Sequence, residues 1–260
     1  MKAIELGEIR GIEGLRIVEI DCPKPGTGQV LMHVKAAGIN YAELETVQGR
    51  YPAIKPLPYI MGFEAAGIVS EVGPDVTGFK IGDRVTSLVL SGGYAEYAVA
   101  QADSCILIPN DVSYAEATTI PINGLTAYAL LSSIAPFHGP KTISIQAAAG
   151  GVGVFLIQLA HSFGFTKIIA FASSDEKLTL ARQIGADHTI NYTEPNWTAE
   201  VMRATDGHGV DVVLECVSGK VGASSISLAG DKARRRTEIE FDHLTDLVSM
   251  MPSVCQHRLL

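Results

Sequence analysis

The chain has 260 residues, more than one average domain, so one large or two modest domains are the starting expectation. Hydrophobic residues make up 47% and charged residues 18%, with a mean hydropathy of +0.23, which excludes an intrinsically disordered chain. The formal net charge of −8 repels phosphate backbones and argues against nucleic acid as a general partner.

Residues 1 to about 116 read as β-rich. The apolar runs 15–20, 30–36, 67–72 and 84–88 are separated by the turn signals Pro23-Lys24-Pro25-Gly26, Gly73-Pro74-Asp75, Gly82-Asp83 and Gly92-Gly93. Such runs between turn residues predict a barrel-like antiparallel domain with little helix. From about Glu116 the pattern changes to strands alternating with helices. Residues 142–146 predict a buried strand. A glycine turn follows, then a helix in which Val152, Phe155, Leu156, Leu159 and Phe163 recur at helical spacing, with Gly164 as a stop. Residues 167–172, 188–192 and 210–216 predict three further strands, with helices over 175–184 and 197–204 between them. Strands alternating with helices imply a parallel sheet of βαβ units. After Gly230 the basic cluster Lys232, Arg234, Arg235 and Arg236 reads as a solvated junction, followed by Phe241, Leu244, Leu247, Val248 and Met251 at roughly helical spacing.

Between residues 117 and 174 the only Asp, Glu, Lys or Arg residues are Lys141 and Lys167. Pro121, Pro136, Pro140 and the glycines 150, 151 and 153 break that stretch too often for a membrane span, and a buried α/β core accounts for it better. Cys22, Cys105, Cys216 and Cys255 are scattered singly, which fits a reducing compartment, and the charged N-terminus does not read as a signal peptide. A cytoplasmic location is the expectation.

The strongest chemical signal is Ala147-Ala148-Ala149-Gly150-Gly151-Val152-Gly153 between a strand and a helix. A dinucleotide turn needs small residues for the tight bend, for close approach of pyrophosphate and for helix–strand packing. Here Ala148 stands in place of the first glycine. The helix start then offers N–H groups and a positive dipole end to phosphate. NAD sites place an acid at the end of the second strand, whereas this chain has Ala172 there, followed by Ser173, Ser174 and Lys177, with Tyr192 after the third strand. Without the acid a 2′-phosphate is tolerated, and these side chains could donate to it, so NADP(H) is the expected cofactor. Ser173-x-x-Glu176 is also a capping-box pattern, and the serine can serve both roles.

Residues 38–52 (GINYAELETVQGRYP), 62–73 (GFEAAGIVSEVG), 82–85 (GDRV), 92–97 (GGYAEY), 123–128 (NGLTAY) and the glycine turn together resemble the zinc-free quinone oxidoreductase and enoyl reductase branch of the medium-chain dehydrogenase/reductases. The resemblance implies an α/β protein: a GroES-like β-barrel catalytic domain over residues 1–122, a partial Rossmann doubly wound parallel sheet over 123–230, and an atypical tail over 231–260, with the active site in a cleft between the domains. By the same resemblance Asn40 and Thr126 lie near the nicotinamide. Tyr51 matches a tyrosine proposed as proton donor in mitochondrial-type enoyl reductases, or is an aromatic packed beside Pro52. Zinc-dependent relatives carry a ligand Cys where this chain has Asn40 or Tyr41, and a His where it has Phe63. Their four-cysteine lobe has no counterpart, so no metal is expected.

The implied activity is NADPH-dependent hydride transfer to a quinone, enone or enoyl thioester. The alternative is a catalytically impaired pseudoenzyme that binds nucleotide or a partner. Full-length relatives continue beyond the point where the match stops, near Gly230. The expectation is therefore a C-terminally truncated sheet, with its open edge covered by the tail helix or by a second subunit in a homodimer.

Overall fold

A computed structural model describes residues 1–51, 56–89, 91–134 and 142–236. The helix expected around 241–251, and with it any cover it supplies, lies outside the described residues. The described residues divide into two compact units, Met1–Ile122 and residues 123–236.

The first unit is built from two antiparallel sheets. Strands β1 (Lys2–Leu6), β2 (Leu15–Glu19) and β4 (Tyr59–Ile60) pair in the order β2-β1-β4. Strands β3 (Gln29–Ala37), β5 (Glu64–Val72), β6 (Arg84–Leu88), β7 (Tyr97–Gln101) and β8 (Cys105–Leu107) form the larger sheet, in the order β7-β3-β5-β6-β8. An isolated bridge between Ala3 and Ala95 links the two. Along β3 and β5 the apolar residues Val30, Met32, Ala65 and Val69 turn inward and pack with Val85, Ala98 and Ala100. Each large aliphatic side chain removed from water there contributes about 1.5–3 kcal/mol before entropy is charged against it.

The stretch expected to lack helix holds α1 (Tyr41–Val47) and the short α2 (Tyr114–Ala117). Both begin at a capping pattern that the alternation of strand residues conceals. Asn40 precedes α1, and Glu43 reaches back to accept from the Asn40 backbone N–H at 2.9 Å. Ser113 and Glu116 make the same exchange at α2.

The second unit is a five-stranded parallel sheet. Helix α3 (Leu125–Ile134) leads into β9 (Thr142–Ile145), and the sheet continues with α4 (Gly151–Ala160), β10 (Lys167–Ala172), α5 (Asp175–Gln183), β11 (His188–Asn191), α6 (Trp197–Ala204), β12 (Val210–Leu214), α7 (Gly219–Ile226) and β13 (Ala229–Arg236). The order is β11-β10-β9-β12-β13, so the direction of winding reverses at β9 and β12. Ile143, Ile145, Leu156, Ile157, Phe165 and Ile168 fill one face, and Phe171, Trp197, Val201 and Val213 the other. Phe171 and Trp197 meet edge to face, with centroids 5.4 Å apart.

Two expectations are corrected here. The sheet does not stop at β12: β13 runs parallel beside it through Arg236, so the basic stretch read as a solvated junction is strand. Backbone pairing needs no apolar side chains, and charged residues are common on strands at a sheet edge. The capping box at Ser173 does not form. Ser174, with extended backbone, precedes α5, and it makes no side-chain cap hydrogen bond.

Candidate active and cofactor sites

The glycine turn leaves β9 at the point where winding reverses, which is where doubly wound sheets bind their ligands. Ala147 adopts a left-handed φ of 47°, and the Gly150 N–H closes on the Ala147 carbonyl at 2.7 Å. The fully buried Ala148 donates its N–H to the Phe171 carbonyl at 3.0 Å, which ties the turn to the end of β10. At Gly153 a Cβ would stand 2.5 Å from the Ala147 carbonyl oxygen and 2.8 Å from the Ala148 Cα, both backbone atoms. At Gly151 it would collide with the Asn123 side chain. Sequence spacing alone makes the turn permissible; the backbone contacts make glycine obligatory at Gly153, whereas at Gly151 the Asn123 side chain would have to move. The first N–H groups of α4, at Gly151, Val152 and Gly153, have no acceptor within the helix, the arrangement at which helix starts receive anions.

The residues expected on the adenosine side lie next to this turn. Ala172 ends β10 and accepts the Tyr192 backbone N–H at 3.2 Å, so Ala172, Ser173, Ser174 and Tyr192 are neighbours. Ser173, Ser174 and Tyr192 are half-buried, and Lys177 stands exposed on α5. Asp175 and Glu176, also exposed, share the first turn of α5, where they complement the helix dipole. Thr126 is buried in the first turn of α3.

Two further polar anchors of this unit escaped the sequence reading. Gln146, only 2% exposed, donates from Nε2 to the Ser225 hydroxyl and joins the end of β9 to α7. Glu215, just past β12, accepts the backbone N–H groups of Val217 and Ser218 at 2.6 and 2.7 Å.

In the first unit Asn40 is held by a buried pair of carboxylates that spacing did not reveal. Glu43 is 3% exposed and Glu64 1%. Asn40 donates from Nδ2 to one oxygen of Glu64 at 2.8 Å, and the Ile122 N–H donates to the other at 3.0 Å. Glu43 takes the Asn40 N–H on one oxygen and the Phe63 N–H, at 3.2 Å, on the other. Tyr51 lies beside Phe63, with ring centroids 6.0 Å apart. Its expected neighbour Pro52 lies outside the described residues. Burial raises the Tyr51 hydroxyl above its ordinary range, and the Glu43 charge adds to the effect. Burial also raises the Glu43 carboxyl, against hydrogen bonds that favour its ionised form. It pushes Glu64 up to about 7. The signal available in the sequence was an acid at the head of the apolar run Glu64-Ala65-Ala66-Gly67-Ile68-Val69, a costly place for a carboxylate with no task.

The residues at the zinc-ligand positions of relatives do not suit zinc. Phe63 has no donor atom, Tyr41 points to solvent, and the Asn40 amide nitrogen is committed to Glu64. Among the described residues, no three His, Cys, Asp or Glu side chains gather as a metal site. His33 instead stacks on Tyr97, with centroids 4.8 Å apart, and His161 Nδ1 meets the Phe165 carbonyl at 2.9 Å.

An antiparallel unit followed by a parallel sheet with this glycine turn defines a medium-chain dehydrogenase/reductase: residues 26–110 match the alcohol dehydrogenase GroES-like domain, and residues 151–234 match the zinc-binding dehydrogenase domain. The second match ends within β13, beyond the point near Gly230 where the resemblance was expected to stop. The chain is 32% identical to human quinone oxidoreductase over 236 residues, covering 90% of this chain and 71% of that protein. It is 35% identical to quinone oxidoreductase from Pseudomonas aeruginosa, covering 86% and 69%. The crystal structure of Escherichia coli quinone oxidoreductase complexed with NADPH superposes with a TM-score of 0.84 at 28% identity, covering 98% and 87%. The chain belongs to the quinone oxidoreductase family of medium-chain oxidoreductases.

Proposed function

We propose that this chain is an NADPH-dependent reductase of quinones or of activated C=C bonds in enones and enoyl thioesters, working without zinc. The observation that carries the reading is the glycine turn at the switch point, where a Cβ at Gly153 would meet backbone, joined to a β10 terminus that ends in Ala172 instead of an acid. The N–H groups of Gly151, Val152 and Gly153 hold the pyrophosphate. Ser173, Ser174, Lys177 and Tyr192 take the 2′-phosphate side, while Ala148 and Gly150 shape the bend. When bound, NADPH supplies a hydride.

The protein's part is orientation and proton supply. Asn40 and Thr126 are assigned to the nicotinamide and substrate side, and Tyr51 to proton donation. A phenol whose pKa is raised by burial and by the Glu43 charge stays protonated at neutral pH, the state a donor requires. No Lewis acid is needed for acceptors of this class, because the electron-withdrawing group already stabilises the charge that develops. Phe63, where relatives carry a histidine ligand, supports zinc independence. Family membership lends no support to an impaired, binding-only protein. The assignment of residues 1–122 to the catalytic part and 123–230 to the cofactor part goes with this reading.

Calorimetric titration tests it. NADPH and 2′,5′-ADP should bind more tightly than NADH and 5′-AMP, and equal affinities would overturn the NADP assignment. Elemental analysis of unchelated protein should find far less than one zinc per chain. A stoichiometric value would overturn the zinc-free reading.

A further inference from the structure

Glu64 sits at the start of β5 with its carboxylate sealed from solvent, and both oxygens are engaged by N–H donors from different parts of the first unit. One donor is the amide of Asn40, at the head of α1. The other is the backbone of Ile122, the last described residue of the unit. The fold makes room for this arrangement: a Cβ at Gly38 would collide with the Glu64 carboxylate, so the chain passes it there as bare backbone. Two N–H donors facing two oxygens match an ionised carboxylate, which is acceptor-only. A protonated acid or a carboxamide in the same pose turns a hydrogen toward one of them.

We propose that Glu64 is a positioning residue: its carboxylate holds the Asn40 amide in one orientation and anchors it to the end of the unit at Ile122. The proposal rests on the reductase reading, in which Asn40 faces the nicotinamide. The titratable groups that act on Glu64 are Glu43 on α1, whose charge opposes ionisation, and Tyr94, whose hydroxyl donates to the Gly38 carbonyl at 3.0 Å. Burial and Glu43 together put the Glu64 carboxyl at about 7, so the clamp loosens as pH falls through neutrality.

The test is the pH profile of NADPH oxidation by 1,4-benzoquinone, from pH 5.5 to 8.5, with the full chain. Wild-type kcat should rise through an inflection near pH 7. Glu64→Gln should lower kcat at pH 8 about tenfold or more and abolish the inflection, while the Kd for 2′,5′-ADP stays within twofold. A variant that keeps both wild-type kcat and the inflection overturns the proposal. A second arm needs neither turnover nor the variant. In the wild-type protein, amide hydrogen exchange at Ile122, corrected for intrinsic chemistry and taken relative to β5 amides that exchange only through global unfolding, should lose protection at least fivefold between pH 8 and 5.5. Constant protection there overturns the clamp. Absence of wild-type turnover, by contrast, would count against the reductase reading and leave the exchange result to decide the clamp.

Discussion

Replacing Gly153 by alanine tests the cofactor cradle at the atomic level. The added methyl would lie 2.5 Å from the Ala147 carbonyl oxygen and 2.8 Å from the Ala148 Cα and carbonyl oxygen. All three are backbone atoms of a turn already held by the Gly150–Ala147 and Ala148–Phe171 hydrogen bonds, so no side chain can swing away to relieve the contact. Overpacking of this kind costs about 1–3 kcal/mol. At about 2–4 °C per kcal/mol for a chain of this size, the midpoint of thermal unfolding should fall by about 2–12 °C. The displaced start of α4 carries the N–H groups of Gly151 and Val152 with it, so NADPH should bind at least about tenfold more weakly, equivalent to about 1.4 kcal/mol. Gly164→Ala is the control. Its φ of 89° is strained for alanine, but its Cβ would point into open space. It should lose stability by about 1–2 kcal/mol and leave NADPH affinity unchanged. Circular dichroism melting and calorimetric titration read both quantities. A Gly153→Ala protein with wild-type melting and wild-type NADPH affinity would refute the reasoning.

Lys177→Glu places an anion on the first turn of α5 and should weaken NADPH about fivefold, with NADH affinity unchanged; equal effects on both cofactors would dissociate Lys177 from the 2′-phosphate. Trp197, 8% exposed and edge-on to Phe171, is the chain's single tryptophan. Its replacement by alanine should cost about 3–5 kcal/mol in chemical denaturation, and a loss under 1 kcal/mol would contradict its place in the core. The raised carboxyl of Glu64 also has a stability signature. The native state keeps this proton between about pH 4.5 and 7, where the unfolded chain has released it, so the contribution of this group favours the fold below that window. Stability should therefore fall by about 3 kcal/mol, an order-of-magnitude figure, as pH rises through it. Glu64→Gln should flatten that slope, and an unchanged slope would contradict the assignment.

Periodicity and turn residues made most of the second unit legible. Strand β10 and helix α6 run as read, because a buried parallel strand is a continuous apolar run and an amphipathic helix repeats at 3.6 residues. Two kinds of feature stayed hidden. Short elements such as α1 are set by a cap and by packing, and seven residues carry too little periodicity to stand out. Strand β13 carries charges, and its pairing with β12 depends on backbone that no side-chain pattern reports. The same division holds at the site. Ala148, Gly150, Gly151 and Gly153 declare themselves by size at a fixed spacing. The Asn40–Glu43–Glu64 cluster joins residues up to 24 positions apart, and Ile122 is 58 from Glu64, so only the folded chain brings them together.

The most direct measurement is steady-state oxidation of NADPH and of NADH at 340 nm by the purified chain, with 1,4-benzoquinone as acceptor and a zinc chelator present. The account predicts quinone-dependent oxidation, with a kcat/KM for NADPH above that for NADH and no loss of rate with chelator. Tight NADPH binding without quinone-dependent oxidation, or a rate that vanishes on chelation and returns with zinc, would contradict it.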